Sequence, residues 1–179
     1  LYHWSHAEEV AHDPILQDKA PYLNSTFFII RAVFYFAVWF LLGRVLYRNS
    51  LRQDENPGEG LVKRMHNISA PGLLLFAITI TFAAFDWLMS LDPHWYSTIF
   101  GLYFFSGSFL AVLCFLIILG SAFRKTGILK EEITTEHYHD LAKLLFGFII
   151  FWGYMGFSQY FLIWYANIPE ETFWYQHRW

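Results

Sequence analysis

An aspartate interrupts one of the most apolar stretches of the chain, AAFDWLMSLDPHWYSTIFG, from Ala83 to Gly101. Asp86 is followed by Asp92, which opens an Asp-Pro-His-Trp turn. Helical spacing puts Thr79, Ala83, Asp86 and Ser90 on one face, a narrow polar stripe. A carboxylate there can exchange protons, or it can pin a neighbouring helix. An ionised group at mid-bilayer costs about 2.5–3.5 kcal/mol even on a permissive scale. Asp86 is therefore expected to face protein, either protonated or paired. Arg31 follows Thr26 by five residues, and Asp86 precedes Leu91 by five. At ~1.5 Å per residue both lie roughly 7–8 Å below the same membrane edge. A direct pair or shared network between Arg31 and Asp86 is expected. In the alternative, Arg31 snorkels outward and Asp86 bonds Ser90 or a backbone group.

A second set of polar residues lies further along. His139, Lys143, Gly147, Tyr154, Ser158 and Tyr165 fall near one helical face, flanked by Asp140 and Gln159. With water between them, His139, Asp140, Lys143, Tyr154 and Ser158 would make a broken proton relay. Equally, His139, Asp140 and Lys143 would only cap a helix that Asp140 opens, where an anion suits the dipole. Tyr154 and Ser158 would then bond across helices. Asp92 is expected to end one helix or cap the next, with a proton exit as the lesser reading. A quinone ring needs a hydrogen-bonding group beside aromatic walls; His139 with Asp140, or Asp92 with His94, would supply one. The tail YHWSHAEEVAHD holds His3, His6 and His12, at a spacing that fits no familiar metal site.

Absences bound the chemistry. No histidine lies within the body of an apolar stretch, which argues against a haem held between helices. The single cysteine, Cys114, excludes a disulfide within the chain, a Cys-x-x-Cys-His haem attachment and any all-cysteine cluster. Cys114 lies in an apolar run and is expected to pack. No metal bound by this chain is expected, and electron transfer would run beside a redox centre or through a quinone.

The positioning elements are long and apolar. The chain has 179 residues, 56% hydrophobic and only 15% charged, where a soluble domain carries about a quarter charged residues. Four stretches reach the ~20 residues a bilayer requires: 26–47, 70–91, 97–123 and 141–168. Backbone satisfaction in lipid makes them helices. Four buried helices of a soluble protein would not be this long and apolar all round. Ser69 is expected to cap the second span, with Pro71 in its first turn. The segment 52–60, RQDENPGEG, reads as a loop. Short connectors predict an all-α, up-down-up-down four-helix transmembrane bundle over 26–168, with tails at 1–25 and 169–179. Gly101, Ser106, Gly107, Ser108 and Ala111, with Gly147, Gly153 and Gly156, are expected at close helix contacts. Arg48, Arg52, Lys63, Arg64, Arg124, Lys125 and Lys130 fall in the first and third connectors, against Lys19 and Arg178 elsewhere. That bias puts those connectors in the cytoplasm and both tails outside. Trp87, Trp95, Tyr96, Trp164, Tyr165, Trp174 and Tyr175 would form the outer aromatic belt. No basic stripe for nucleic acid and no signal peptide are visible.

The motifs HNISAPGLLLFAITITFAAFDWLMSLDPHWYSTIFG (His66 to Gly101) and GFSQYFLIWYANIPEETFWY (Gly156 to Tyr175) resemble the ActF-type membrane subunit of bacterial alternative complex III. PYLNSTFFIIRAVFYFAVWF (Pro21 to Phe40) fits the same family, so the resemblance covers nearly the whole chain. The family is related to the polysulfide reductase (NrfD-like) membrane subunits, which have more helices; the chain, starting at Leu1, would be one bundle of a larger subunit. The resemblance implies a subunit without its own cofactor in a quinol-oxidising complex of the bacterial cytoplasmic membrane. Quinol, haem and iron–sulfur centres would belong to partner subunits, including a homologous quinol-site subunit. It implies a proton-conducting or assembly role. Carried onto this chain, the proton candidates are Asp86, Arg31, Ser90 and Thr79 in one half, and His139, Asp140, Lys143, Tyr154 and Ser158 in the other. A purely structural scaffold is the alternative. An independent transporter is a third, disfavoured because no span is broken by Gly-Pro at mid-membrane.

Overall fold

The computed structural model describes residues 2–129 and 131–176. Lys130 and Arg178, counted above for orientation, lie outside the described residues. The chain is all-α, with no strand among the described residues. Four helices are long and apolar enough to cross a membrane. Two compact units divide it, one ending at Tyr96 and the other starting at Ser97.

The first unit begins with short pieces. A 3₁₀ turn, His3–Ser5, precedes α1 (Ala7–His12) and α2 (Pro14–Lys19). The α2 start is written in sequence: Asp13 caps it, accepting from Ile15 N at 2.9 Å, and Pro14 takes the first position, where a missing N–H is harmless. The long helices α3 (Ser25–Glu55) and α4 (Glu59–Trp87) pack as a pair, and a 3₁₀ turn, Met89–Leu91, follows. Asn24 caps α3 by accepting from Phe27 N at 2.9 Å.

Several boundaries differ from the sequence reading. The loop expected at 52–60 shrinks to 56–58, because α3 continues to Glu55 and α4 starts at Glu59. Ser69 caps nothing, and Pro71 stands well inside α4. Its missing N–H leaves the Asn67 carbonyl without its helical donor. Polar helix runs on beyond the apolar span, so the edge of apolarity is not the edge of the helix. The segment expected to be a tail is folded from Tyr2 onward: Trp4, Leu16 and Leu23 form a buried cluster joined by Tyr2, Val10 and Phe28. As expected, Asp92 ends a helix, capping the Met89–Leu91 turn.

In the second unit α5 (Phe100–Lys125) pairs with α6 (Thr135–Ala166), and α7 (Pro169–Gln176) follows where a tail was expected. The turn after α5 uses Gly127 at φ 87°, a left-handed backbone that favours glycine. Thr134 N–H donates to His137 Nδ1 at 3.1 Å at the start of α6. Asp140 therefore lies inside α6 and does not open it, which removes the capping explanation for it. Asn167 ends α6 in the left-handed conformation, φ 50°, which Asn tolerates.

Aromatic rings seated on glycines hold α5 to α6. Tyr103 and Trp152 stack with centroids 5.6 Å apart. A Cβ on Gly107 would lie 3.0 Å from Trp152 Nε1, and one on Gly156 would lie 3.2 Å from the Tyr103 ring. Phe109 and Phe148 meet at 4.5 Å. Gly107 and Gly156 thus act as expected, whereas Gly147 and Gly153 have nothing within 4 Å and form no close contact. Cys114 is exposed on α5, not packed.

Gly107→Val is expected to destabilise the α5–α6 pair by about 1–3 kcal/mol, the usual range for overpacking. Gly147→Ala should be neutral or slightly stabilising, since Ala is the better helix former by up to about 1 kcal/mol. Thermal unfolding of the purified protein in detergent checks both. Equal midpoints for the two variants would show that Trp152 does not depend on Gly107.

Candidate functional site

Two helical rows meet in the first unit. On α3, Arg31, Tyr35 and Trp39 recur every four residues and share a face. On α4, Thr79, Ala83 and Asp86 share another, with Ala83 and Ala84 buried and small enough to let the helices approach. Asp86 is 1% exposed and Arg31 is 8% exposed.

Arg31 grips Asp86 with two parallel bonds. Its Nε donates to Oδ2 at 2.8 Å and its Nη2 to Oδ1 at 2.9 Å. This bidentate fork fixes orientation as well as attraction. Tyr35 Oη donates to Asp86 Oδ2 at 2.8 Å. Arg31 Nη1 donates to the Tyr22 carbonyl at 2.9 Å. The guanidinium carbon lies 3.9 Å from the Tyr22 ring centre and 4.3 Å from that of Phe27. Cation–π contact of this kind contributes about 0.5–2 kcal/mol. One turn further along, Trp39 Nε1 donates to Thr79 Oγ1 at 2.9 Å, and Thr79 Oγ1 donates to Leu75 O at 2.8 Å.

The pairing expected between Arg31 and Asp86 is thus present, as a direct contact. The other stripe residues do not touch the carboxylate. Ser90 Oγ donates to the Asp86 backbone carbonyl. Thr79 is engaged with Trp39 and its own helix. The snorkelling alternative fails because Arg31 is buried and turned toward α4.

The N-terminal segment closes over this cluster. Trp4 Nε1 donates to Ser90 O at 3.2 Å, and Tyr2 Oη to Trp87 O at 3.0 Å. Trp87 ends α4 and Ser90 lies in the Met89–Leu91 turn that follows, and helix ends of this kind leave carbonyls without an internal donor. Lys19 Nζ donates to Pro93 O and lies 5.7 Å from the Tyr96 ring centre. Burial lowers the Lys19 pKa, with Asp92 and Asp13 opposing. The Tyr22 phenol is pushed up to about 12, first by burial and then by the Asp86 carboxylate. Lys19, Tyr22, Phe85, Ser90, Pro93 and Tyr96 line part of a cleft of about 230 Å³ beside the cluster.

His94 Nε2 lies 2.5 Å from Asp13 Oδ2 and ties the N-terminal segment to the Asp-Pro-His-Trp turn. That contact occupies the His94 that sequence offered for a quinone. Asp92 lies in the same turn, and its carbonyl accepts from Trp95 N at 3.2 Å.

The candidates on α6 do not form one track. His139, Asp140, Lys143 and Tyr154 are exposed; the buried residues of α6 are Met155, Gln159 and Ile163. Asp140 and Lys143 form a surface pair at 3.2 Å. Tyr154 and Ser158 line one cleft with Ile99, Leu102, Met155 and Phe161. His139 and Asp140 do not line that cleft. In the N-terminal segment, His3 Nδ1 contacts Glu9 Oε2 at 2.7 Å. Among the described residues no group of three His, Cys, Asp or Glu side chains is placed to hold a metal.

Sequence reasoning missed Tyr35, Trp39, Tyr22 and Phe27, and the whole N-terminal cover. Tyr35 and Trp39 had a usable signal, their four-residue spacing from Arg31. The cover had none, since Trp4 and Leu16 belong to no periodic stretch.

Removing one partner of the ion pair, by Arg31→Met or Asp86→Leu, is expected to cost about 3–5 kcal/mol, while the double replacement recovers most of that loss. Tyr35→Phe should cost about 1.5–3 kcal/mol, as for a bond to a charged group. Unfolding of the four variants in detergent measures the coupling, and additive losses would show that the two charges act independently. The Asp13 contact predicts a pH dependence. Partial burial raises the Asp13 pKa, but His94 and the N–H groups of Ile15 and Leu16 outweigh it, so the value falls below the ordinary 3.8. A depressed carboxylate stabilises the fold above its unfolded pKa and loses that contribution as pH falls through its folded value. Cleavage of the N-terminal segment by an acid-active protease should therefore rise only below pH 3.8. Asp13→Asn, which keeps the cap but not the charge, should make the segment cleavable at neutral pH; resistance equal to wild type would show that another contact holds it.

Compared with protein-family models and with curated proteins the chain matches none, so the resemblance rests on the stretches Pro21–Phe40, His66–Gly101 and Gly156–Tyr175 alone.

Proposed function

We propose that the chain is an integral membrane subunit of a quinol-oxidising electron-transfer complex of the alternative complex III type, and that it supports assembly of the complex. It would lie in the bacterial cytoplasmic membrane, with the Asp92 turn and both tails outside and the first and third connectors in the cytoplasm. The redox centres would belong to neighbouring subunits. The motifs of the second and fourth helices, and the Lys and Arg bias, support this placement.

The scaffold role rests on one observation: three side-chain donors from α3 hold the Asp86 carboxylate. A proton carrier has to exchange partners during each cycle. Asp86 would have to displace Arg31 or Tyr35 to do so, beneath a cover that includes Tyr22 and Phe27. A pin between two helices needs no such movement. The proportion of uncovered surface fits a subunit as well. At most 22% of the most apolar window of any long helix is buried. Lipid or other protein surface must cover the rest.

The test is Asp86→Asn in the intact complex, reconstituted in vesicles. Assembled complex should drop several-fold in yield. The complex that does assemble should move the normal number of protons per electron. Normal yield with fewer protons per electron would instead make Asp86 a proton carrier and end the scaffold reading.

A further inference from the structure

The last turn of α5 carries Arg124 and Lys125, directly after an apolar run that ends at Phe123. With Ser121 and Tyr138 they line a cavity of about 390 Å³ at this end of the second unit. Among the described residues no salt bridge engages Arg124 or Lys125. Glu131, Glu132 and Glu136 nearby in sequence are exposed and pair with neither. The Tyr138 hydroxyl is buried and lacks a hydrogen-bond partner. Ser121 does not serve it, since its Oγ donates to Ile117 O at 2.7 Å. Gly120 lies beside that hydroxyl: a Cβ there would come within 3.4 Å of Tyr138 Oη and 3.6 Å of Ile133 Cδ1.

Two cations at a helix C-terminus are partly explained by the helix dipole. The dipole does not explain a buried phenol with nothing to bond. A hydroxyl left unsatisfied in this way is destabilising, and a ligand oxygen reached by a small turn of the Tyr138 ring toward the cavity would relieve it. A guanidinium, an ammonium and a hydroxyl around one cavity together suit a group with several anionic oxygens, and Arg favours the planar two-oxygen edge of a phosphate. The location narrows the source. The cavity adjoins the end of an apolar helix whose outer face, including Phe115 and Ile118, is exposed. Basic pockets at the ends of spanning helices recognise anionic lipid headgroups.

We infer that this cavity binds the headgroup phosphate of an anionic phospholipid, with Arg124 and Lys125 on its oxygens, Tyr138 donating a hydrogen bond, and the acyl chains lying along α5. The inference requires only that α5 and α6 cross a bilayer; it does not rest on the electron-transfer reading.

Native mass spectrometry of the full-length protein in detergent, with added phosphatidylglycerol or phosphatidylcholine, tests it. Wild type should retain phosphatidylglycerol in preference. Arg124→Gln/Lys125→Gln should weaken that binding roughly thirtyfold, the product of two surface cations. Tyr138→Phe, which leaves every charge in place, should weaken it roughly fivefold. Inorganic phosphate, added at the concentration of the lipid, should displace none of it. Unchanged binding in either variant overturns the inference, and Tyr138→Phe alone decides if the double variant fails to fold. Displacement by inorganic phosphate would also overturn it, because the site would then take a free anion.

Discussion

A carboxylate below the surface of a membrane must be compensated from within the protein, and much of the first unit follows from that need. Asp86 is buried away from solvent, and α3 supplies Arg31 and Tyr35 in its place. Arg31 then has to be compensated in turn, and the segment before α3 provides the Tyr22 carbonyl and the faces of Tyr22 and Phe27. Those groups must be held in place. Asn24 sets the start of α3, and the Trp4–Leu16–Leu23 cluster anchors the chain that leads to it. The end of α4 and the Met89–Leu91 turn after it expose carbonyls, and Tyr2 and Trp4 take one from each. One buried charge thus explains why an N-terminal segment that reads as a polar tail is folded at all.

The second unit solves helix association differently. In lipid, apolar side chains gain little by meeting each other instead of acyl chains, so association depends on close packing and hydrogen bonds. The α5–α6 pair has no buried charge pair among its described residues. It uses shape: Trp152 and Tyr103 stack, each lying against a glycine of the opposite helix. Ser106, fully buried, bonds the Tyr103 carbonyl at 2.8 Å and leaves no polar atom facing lipid. One pair is fixed by electrostatics of exact geometry, the other by rings in glycine notches.

The Arg31–Asp86 pair was legible because depth is a one-dimensional quantity: counting residues from two span ends puts both groups at one level. The number of donors was missed although Tyr35 and Trp39 follow Arg31 at four-residue spacing, because that spacing does not by itself separate a hydrogen-bonding aromatic from one that only packs. Helix ends were misjudged for a different reason. Apolarity marks where lipid ends, whereas Asn24, Asp13 and Asn167 mark where helices begin or stop. Ser69 and Pro71 imitate a start signal, yet α4 passes through both because its polar first turns, from Glu59, are helical in their own right. Glycines carried partial information. Gly107 and Gly147 look alike in sequence, and only the ring opposite Gly107 distinguishes them. The row on α6 misled because a shared face was identified without knowing which face packs; Met155, Gln159 and Ile163 occupy the buried one.

The same geometry bears on how such a pair can serve a larger assembly. A buried bidentate contact has a narrow angular tolerance, so it fixes the rotation of α3 against α4 more firmly than apolar packing does. Hydrophobic side chains can slide past each other at small cost, but an Arg–Asp fork displaced by an ångström leaves two charges without solvent. Buried charge pairs often add little net stability, and in some proteins they are retained for the register or orientation they impose. For a chain whose long helices leave most of their apolar surface uncovered, a fixed rotation has a direct consequence. It determines which residues of α3 and α4 the first unit leaves exposed, among them Ile29, Val33, Phe36 and Phe40 on one helix and Leu74 and Ile78 on the other. A neighbour that recognises that surface depends on Asp86 without ever touching it.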